Sequence, residues 1–412
     1  MNMMKKLLAL VLSVCLVFGL VGGVSAAADH TGEMNELLAT LQEMATKYGP
    51  EIPEEVKNGT DKGTTIGYNP TKDSYYVAIG DGSVKETATY ATYVSALAQE
   101  LKLGDKYKNL GVKDLLIENV IVEVIEPNKD VIAKADLVTI GFSAVGFANM
   151  ALEEVLRDEG EASSIRWEKY LDETGVAEIK AILADLEQYL KDVGVRGAYN
   201  VAGMKLDVVK SLVIAAESMA YGALAFSNEL PAIIEKIHEY SPNAKVVIVG
   251  MDNPMAGAVV NLSGGEAMEL GKYLDSVIEM TCQIAQTVAI ENPKTAFVAA
   301  PAAANTNDGA EMSENDLIIA YLPQNVSKNL PNAEGQAYIK TQIKNALYLM
   351  GDVNDDGKVD YKDAMLVLRA SVKLETLNDK LAVRADVTGE GKMDYKDAMK
   401  ILRASVGLDT LG

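Results

Sequence analysis

A near-identical repeat at the C-terminus constrains the fold more than any other feature of this chain. Asp360–Val372 reads DYKDAMLVLRASV and Asp394–Val406 reads DYKDAMKILRASV, so the copies are offset by 34 residues and differ at two positions. Each copy follows an acidic loop and carries apolar residues at helical spacing. The repeat therefore predicts a small, mostly helical C-terminal unit that is built twice from one loop and one helix.

The first loop has the ligand spacing of an EF-hand calcium loop. Oxygen-bearing side chains fall at positions 1, 3, 5, 9 and 12, and Gly357 at position 6 makes the turn. Six or seven such oxygens can converge on one hard cation, and the alternative of a solvated acidic turn does not explain this register. The predicted ligands are the side chains of Asp352, Asn354, Asp356, Asp360 and Asp363 and the carbonyl of Lys358.

The second loop repeats the pattern with poorer ligands. Thr388 offers a neutral hydroxyl at position 3, and Glu390 at position 5 is one methylene longer than Asp. We therefore expect calcium to bind more weakly in this loop. Its predicted ligands are the side chains of Asp386, Thr388, Glu390, Asp394 and Asp397 and the carbonyl of Lys392.

A loop followed by one helix, twice, with Asp at position 12, resembles the type I dockerin of cellulosomes. The resemblance covers Gly351 to about Leu408 and implies binding to a cohesin module of a scaffolding protein. Because both halves carry the same residues, it also implies that either helix can face the partner. The alternative is that the two tyrosines only decorate the surface. The implied partner-binding residues are Tyr361, Lys362, Leu368, Arg369, Tyr395, Lys396, Leu402 and Arg403.

Short apolar runs alternate with helical patterns upstream of the repeat. This alternation predicts a parallel sheet covered on both faces, a three-layer α/β/α sandwich. The expected strands are Tyr75–Gly80, Asn109–Val112, Asp136–Gly141, Ala244–Gly250 and Thr295–Ala299. The expected helices are Asn35–Tyr48, Ala88–Leu101, Ala151–Arg157, Val176–Val193, Leu206–Ala220, Pro231–Tyr240, Gly265–Ile290 and Ala333–Met350.

Four segments of this domain resemble the SGNH (GDSL-type) hydrolases, whose sheet is flavodoxin-like. They are Tyr76–Asp81, Ala135–Gly141, Asn243–Pro254 and Pro331–Tyr338. The resemblance implies serine-esterase chemistry, which needs a nucleophile, oxyanion donors, an acid and a base. This chain departs from the family at those positions, which are Gly82, Asp114, Ser143, Ser327 and Leu330.

Ser83 is the fallback nucleophile, one residue beyond the family position. We expect it instead to cap the following helix, because no histidine is placed to act as its base. Of the two histidines, His30 precedes the domain and His238 should lie at the opposite end of the sheet. Lys85 or Lys328 could serve only with a lowered pKa.

Two further features have structural interpretations. Asp252-Asn253 follows a strand and is expected to form a turn, although a pocket-lining role stays open. Trp167 is the one tryptophan in the chain, and without other exposed aromatic residues beside it a sugar-binding face is not favoured.

The N-terminus carries the pattern of a secretory signal peptide. Lys5 and Lys6 precede an apolar run, and Val24-Ser25-Ala26 resembles a cleavage site. After cleavage Cys282 would be the sole cysteine, so no intrachain disulfide is expected. The formal net charge of −21 disfavours nucleic acid and anionic membranes as partners.

Together these features predict a secreted, cell-surface-associated cellulosome component. Its expected parts are a signal peptide (1–26), an N-terminal helix and connection (27–72), an SGNH-like α/β domain (73–350) and a type I dockerin (351–412). We expect the dockerin to bind two calcium ions and a cohesin. The α/β domain is expected to bind a carbohydrate or another small ligand rather than to hydrolyse it. The alternatives are an active carbohydrate or acetyl esterase that uses Ser83, and a structural spacer or interaction module of the complex.

Overall fold

The computed structural model describes two folded parts of the chain. The described residues are 52, 53, 56, 66, 68, 70, 71, 73–143, 154, 163–192, 198–201, 204–253, 259–261, 267–269, 271–292, 294–300, 311–313, 330–347, 350–354, 356, 358–377, 379–388, 390–409 and 411. The predicted signal peptide, the helix Asn35–Tyr48 and nearly all of the helix Ala151–Arg157 lie outside them. No helix within these ranges is long and apolar enough to cross a membrane.

The described elements follow one another in an α/β order and end in three helices. In chain order they are β1 (Tyr76–Gly80), α1 (Tyr93–Glu100), β2 (Tyr107–Gly111), β3 (Leu137–Gly141), α2 (Glu173–Asp192), β4 (Ala198–Val201), β5 (Met204–Asp207), α3 (Val208–Tyr240), β6 (Lys245–Val249), β7 (Val259–Asn261), β8 (Ala267–Glu269), α4 (Gly271–Glu291), β9 (Thr295–Val298), β10 (Glu311–Ser313), α5 (Ala333–Ala346), α6 (Tyr361–Ser371), α7 (Asp379–Ala385) and α8 (Tyr395–Ser405). Between β2 and β3 an irregular segment of 3₁₀, π and α turns runs over residues 117–132.

Five strands form one parallel sheet in the order β2-β1-β3-β6-β9. This is the doubly wound, flavodoxin-like order, and it confirms the predicted fold class. The register places Gly80 of β1 beside Gly111 of β2 and Gly141 of β3, so these strands end at one edge. Smaller sheets, β10-β7-β8 and the hairpin β4-β5, lie outside this arrangement.

Alternate side chains of the central strands enter two separate cores. Val77 and Ile79 of β1 belong to the core that also contains Ile233 of α3 and Ile284 of α4. The neighbouring residues of β1 enter the second core, with Leu97 of α1 and Ile343 of α5, and they are Tyr76 and Ala78. The sheet is therefore covered by helices on both faces, because its strands are apolar at successive positions.

Several predicted helix boundaries in the α/β domain are wrong. Helix α1 begins at Tyr93 instead of the predicted Ala88, because Thr92 is its N-cap. The predicted helices Leu206–Ala220 and Pro231–Tyr240 form one helix, α3, with Pro231 inside it. Burial of Leu230, Ile233, Ile234 and Ile237 offsets the helix bond that the proline removes. The helix expected from Gly265 begins at Gly271, since Ala267–Glu269 pairs as β8.

The C-terminal unit has a small core of its own. Helices α6 and α8 pack against each other, and Val353, Val367 and Ile401 are fully buried between the repeats. Each helix begins with a capping box, Asp360 with Asp363 and Asp394 with Asp397. Positions 9 and 12 of each loop therefore also fix the start of the helix that follows.

Candidate functional sites

Asp81 joins the turn after β1 to the turn after β3. Its Oδ1 accepts the N–H and the hydroxyl of Ser83 at 2.9 and 2.6 Å. Its Oδ2 accepts the N–H and the hydroxyl of Ser143 at 2.9 and 2.8 Å. Burial raises the pKa of Asp81, and the hydrogen bonds from both serines oppose that rise. Four hydrogen-bond donors therefore converge on the buried Asp81 side chain. They connect the two turns at the edge of the sheet where the strands end.

The positions that the family resemblance implies for nucleophile and base lie next to each other. A Cβ placed on Gly82 would lie 3.6 Å from Cδ1 of Leu330. Leu330 is buried and packs against Tyr90. Neither Gly82 nor Leu330 has a side chain that can transfer a proton, so this pair cannot perform the chemistry of a serine and its base.

The other implied positions have mixed outcomes. Asp114 has a φ of 58°, a left-handed conformation that glycine adopts without steric cost, which fits a position where the family has glycine. Ser143 is buried at the edge of the sheet, and its hydroxyl donates a hydrogen bond to Asp81. Ser327 lies outside the described residues.

The expectation that Ser83 caps a helix is wrong. The residues between Ser83 and Thr92 form turns and irregular structure, and the cap of α1 is Thr92. Ser83 is buried and donates both its N–H and its hydroxyl to Asp81, two residues earlier. The Asp-x-Ser spacing was the local signal for this turn.

No histidine lies near Ser83 in the described part of the chain. His238 Nε2 lies 3.1 Å from the carbonyl oxygen of Ala244, just before β6, at the edge of the sheet opposite Asp81. This confirms its expected placement. His30 and Lys328 lie outside the described residues, and Lys85 is exposed.

Asp252 and Asn253 follow β6 and are both buried at the edge where Asp81 lies. Oδ2 of Asp252 has no hydrogen-bond partner among the described residues. Burial, together with the nearby charge of Asp81, raises the pKa of Asp252 to about 7. The sequence predicted a turn here, whereas the structure has irregular backbone at both residues. Nothing in the sequence indicated the raised pKa, which depends on burial and on a residue 171 positions away.

Gln336 of α5 connects the turn after β1 to α1, and sequence reasoning missed it. Its Nε2 donates to the Tyr90 hydroxyl at 2.7 Å and to the Ser83 carbonyl at 3.2 Å. Its Oε1 accepts the N–H of Tyr93 at 2.8 Å. These bonds hold the helix that begins after Pro331 against the turn that carries Gly82.

A cavity of about 30 Å³ opens beside Asp81, between the carboxyl edge of the sheet and α3. Most of its lining is apolar, with aromatic rings from Phe142 and Phe226. Its polar lining residues are Asp81, Glu118, Ser143 and Tyr221. This is a concave site with few polar groups, the usual form of a small-molecule site.

Trp167 is buried and does not form a sugar-binding platform. Its Nε1 donates to Glu217 at 2.9 Å, and its ring packs edge-on against Tyr221 with centroids 5.4 Å apart. The tryptophan therefore has a packing role, as the sequence favoured.

The first acidic loop folds around the carboxylate at position 12. Asp363 is fully buried, and its Oδ1 accepts the N–H groups of Val353 and Asn354 at 2.8 and 3.1 Å. Oδ1 of Asp352, at position 1, accepts the N–H of Asp356 at 3.1 Å. All the predicted ligands of this loop are oxygen donors, and this chemistry fits calcium.

The second loop keeps the same arrangement with two differences. Asp397 is fully buried like its counterpart, but its Oδ1 accepts the hydroxyl of Thr388 at 2.8 Å. Lys396 Nζ lies 2.9 and 3.1 Å from the two carboxylate oxygens of Glu390. Gly391, at position 6, has a φ of 74°, so this turn requires glycine.

The carboxylates of the two loops, among the described residues, are not clustered tightly enough to form a metal site by themselves. No group of three or more His, Cys, Asp or Glu side chains in the described ranges is arranged to hold a metal ion. The carboxylates at positions 1 and 12 instead accept backbone N–H groups of their own loops. The fit to calcium therefore rests on the type and the spacing of the donors.

Each repeat helix presents an exposed apolar stripe. On α6, Tyr361 is 58% exposed and Leu368 is 48% exposed; on α8, Tyr395 is 62% exposed and Leu402 is 40% exposed. The structure adds residues that sequence reasoning missed, although their i, i+4, i+7 and i+11 spacing was available. They are Met365 and Val372 in the first copy and Met399 and Val406 in the second, and the exposed Leu374 and Leu408 follow just beyond the two helices.

Comparisons with known proteins give results for each part of the chain. Solved structures similar to it include an extracellular lipase from Streptomyces rimosus, with 17% identity, a TM-score of 0.37 and coverage of 66% of this chain and 99% of the lipase. A phospholipase A1 from Streptomyces albidoflavus NA297 has 14% identity and a TM-score of 0.28, with coverage of 62% and 99%. An acetyl xylan esterase from Butyrivibrio proteoclasticus has 12% identity and a TM-score of 0.30, with coverage of 66% and 65%.

No curated protein matches the chain. The family model that matches describes a dockerin type I domain, and the match covers residues 350–404, which include both loops and both striped helices. Type I dockerins bind calcium and dock to cohesins. The C-terminal part of this chain is therefore a dockerin type I domain.

Proposed function

We propose that this protein is a secreted cellulosome component that docks to a cohesin through a calcium-loaded dockerin. In the same proposal the α/β domain binds a small ligand and does not hydrolyse it by serine chemistry. The observation that carries the docking half is the duplicated apolar stripe on α6 and α8. Large exposed apolar residues in a contiguous row mark a protein interface on a small soluble domain.

The two stripes support docking in two orientations. Tyr361, Leu368 and Arg369 have counterparts at the same positions of the second helix, Tyr395, Leu402 and Arg403. Each arginine pairs with an acid beyond its helix, Arg369 with Glu375 and Arg403 with Asp409, in both cases at 3.3 Å. A partner that fits one helix therefore meets the same groups on the other.

Single-face variants test this docking mode. Leu368→Glu and Leu402→Glu each remove one stripe, so either variant alone should lower cohesin affinity only slightly, because the other face is intact. The double variant should lose at least a hundredfold in affinity, since no intact face is left. The measurement is calorimetric titration with a panel of cohesin modules in excess calcium. If either single variant abolished binding, docking would occur through one face only.

We propose two calcium sites of unequal affinity. The second loop has the neutral Thr388 at position 3, and Glu390 is engaged by Lys396. A calcium titration of the full chain should resolve a tight and a weaker site. Lys396→Ala should tighten the weaker site, because it frees the Glu390 carboxylate. Lys362→Ala, at the same position of the first loop, is the matched control and should change little. Cohesin binding that survives EDTA would contradict the calcium requirement.

The binding role of the α/β domain is supported by the proximity of Gly82 to Leu330. These residues occupy the places where the family resemblance puts the nucleophile and the base, and they meet without a proton-transferring group. Ser83 lies next to them, but its hydroxyl donates a hydrogen bond to Asp81. The Asp81 carboxylate already accepts three other hydrogen bonds. A carboxylate with all its acceptor positions filled is a poor base.

Turnover of p-nitrophenyl acetate by the full chain tests this second half. We expect no turnover above that of the matched Ser83→Ala variant. The Ser83–Asp81 contact is the observation that favours the alternative, an esterase with a displaced serine. Turnover that Ser83→Ala abolishes would establish that alternative and refute the binding-only role. Pull-down of polysaccharides and the small-ligand titrations described below separate ligand binding from a spacer role.

A further inference from the structure

The cavity beside Asp81 has a distribution of charge that defines a ligand class. Among the described residues that line it, none is Lys, Arg or His, while two are acidic, Asp81 and Glu118. We propose that this cavity binds a small ligand with a compact apolar body and a hydrogen-bond-donating head. An amine binds more tightly than an alcohol, and carboxylates and phosphates are rejected. This inference rests on the binding role proposed above and names its ligand class.

The apolar body of the ligand is set by the cavity walls. Leu115 and Ile117 line one part of the cavity, and Phe226 of α3 lines another. A volume of about 30 Å³ exceeds what one water needs, which is about 10–15 Å³ on the same measure. The site therefore suits a short alkyl group.

The head of the ligand is set by Glu118. One carboxylate oxygen, Oε2, accepts the Tyr221 hydroxyl at 2.7 Å. Lys169 Nζ is 3.9 Å from that same oxygen, but it lies closer to Glu229, at 2.6 Å from Oε1 of that residue. The other oxygen of Glu118 accepts no hydrogen bond from any described residue. It can therefore accept a donor from a ligand, and a cationic donor gains most beside a partly buried carboxylate.

Asp81 contributes charge to the cavity without offering a hydrogen bond. Its four acceptor positions are taken by Ser83 and Ser143. An anionic ligand would lie between two acids with no basic side chain among the described lining residues. The cost of that arrangement is the physical basis for the rejection of carboxylates and phosphates.

Three probes with one apolar body test the ligand class. Saturation-transfer NMR on the full chain in calcium at pH 7.5 would compare n-butylamine, 1-butanol and butyrate. We expect butylamine to bind at least ten times more tightly than butyrate, with butanol between them. Equal affinity for butylamine and butyrate would overturn the proposal, and so would an absence of binding by every probe.

Two variants locate the binding. Glu118→Gln should lower butylamine affinity at least fivefold and leave butanol nearly unchanged, while Ala225→Leu should weaken both because it fills the cavity. Glu123→Gln, exposed on the same segment, is the matched control and excludes a general attraction of amines to an acidic protein. Butylamine affinity equal in the wild type and Glu118→Gln would overturn the proposal, even if Ala225→Leu failed to fold. Ester turnover is measured separately, so hydrolysis would refute the binding-only role without touching this result.

Discussion

Replacement of Asp252 by asparagine should stabilise the α/β domain at high pH. The Asp252 carboxyl is 4% exposed, and its Oδ2 has no hydrogen-bond partner among the described residues. Burial and the neighbouring Asp81 raise its pKa from 3.8 to about 7. At pH 8 the folded protein therefore holds a charge in a place that disfavours it. A neutral amide of the same size avoids that charge.

The sign and the size of the effect follow from the linkage of folding to protonation. Between pH 4 and pH 7 the folded state keeps a proton that the unfolded state has lost, so stability falls as the pH rises through this window. About three pKa units at about 1.4 kcal/mol each give an upper limit of about 4 kcal/mol. Asp252→Asn should therefore raise the midpoint of thermal unfolding by about 5–10 °C at pH 8.5. Near pH 5, where Asp252 keeps its proton in the fold, the midpoint should change little.

The assay is thermal unfolding of the full chain in excess calcium from pH 5 to pH 8.5, read as the variant minus the wild type. Asp130→Asn, on an exposed position between β2 and β3, is the matched control for charge removal. A wild-type protein as stable as Asp252→Asn at pH 8.5 would refute the reasoning, because it would mean that the carboxylate has a partner. An equal gain at pH 5 and pH 8.5 would refute the titration as its cause.

Four further substitutions give directed changes in stability. Ser143→Ala removes the buried hydroxyl that lies 2.8 Å from Asp81 Oδ2 and should lower the free energy of unfolding by about 1–3 kcal/mol in urea. Lys373 and Gly407 occupy the same place after the two repeat helices with φ values of 62° and 74°. Lys373→Gly should therefore raise dockerin stability by about 1 kcal/mol in thermal unfolding, and Gly407→Lys should lower it by as much. Asp114→Gly should give a smaller gain, since Asp tolerates its φ of 58° better than Lys does; a loss would mean that its side chain is needed.

The sequence was sufficient for the strands and the layers because their signal is local. Apolar runs such as Tyr76–Gly80 can be buried only in the middle of a covered sheet. The helix starts were less predictable because tertiary contacts set them. Tyr93 begins α1 where its N–H meets Gln336, a residue 243 positions away. Likewise, Pro231 was expected to start a helix, and only the packing of its neighbours explains why α3 continues through it.

The contacts around Asp81 could not be predicted from the sequence. The family resemblance placed Gly82 and Leu330 opposite each other, and a Cβ on Gly82 would lie 3.6 Å from Cδ1 of Leu330. The resemblance gave no indication that Asp81 would accept hydrogen bonds from both Ser83 and Ser143. Asp252 could not have been recognised as a titrating group either, because its pKa depends on burial and on Asp81, which the fold alone brings near. Chemistry that is assembled from distant segments has no local sequence signal.

The helical repeats Asp360–Val372 and Asp394–Val406 differ at two positions, and both lie outside the exposed stripe. One difference replaces Val367 by Ile401, and both side chains are fully buried in the core of the domain. The other replaces Leu366, which packs partly against that core, by Lys400, whose Nζ donates to the Val387 carbonyl at 3.0 Å. Every exposed residue of one stripe is therefore repeated in the other. A core can be filled by different residues on its two sides, but two faces that bind one partner must present the same groups. Both differences lie outside the exposed stripes, as docking through either helix requires.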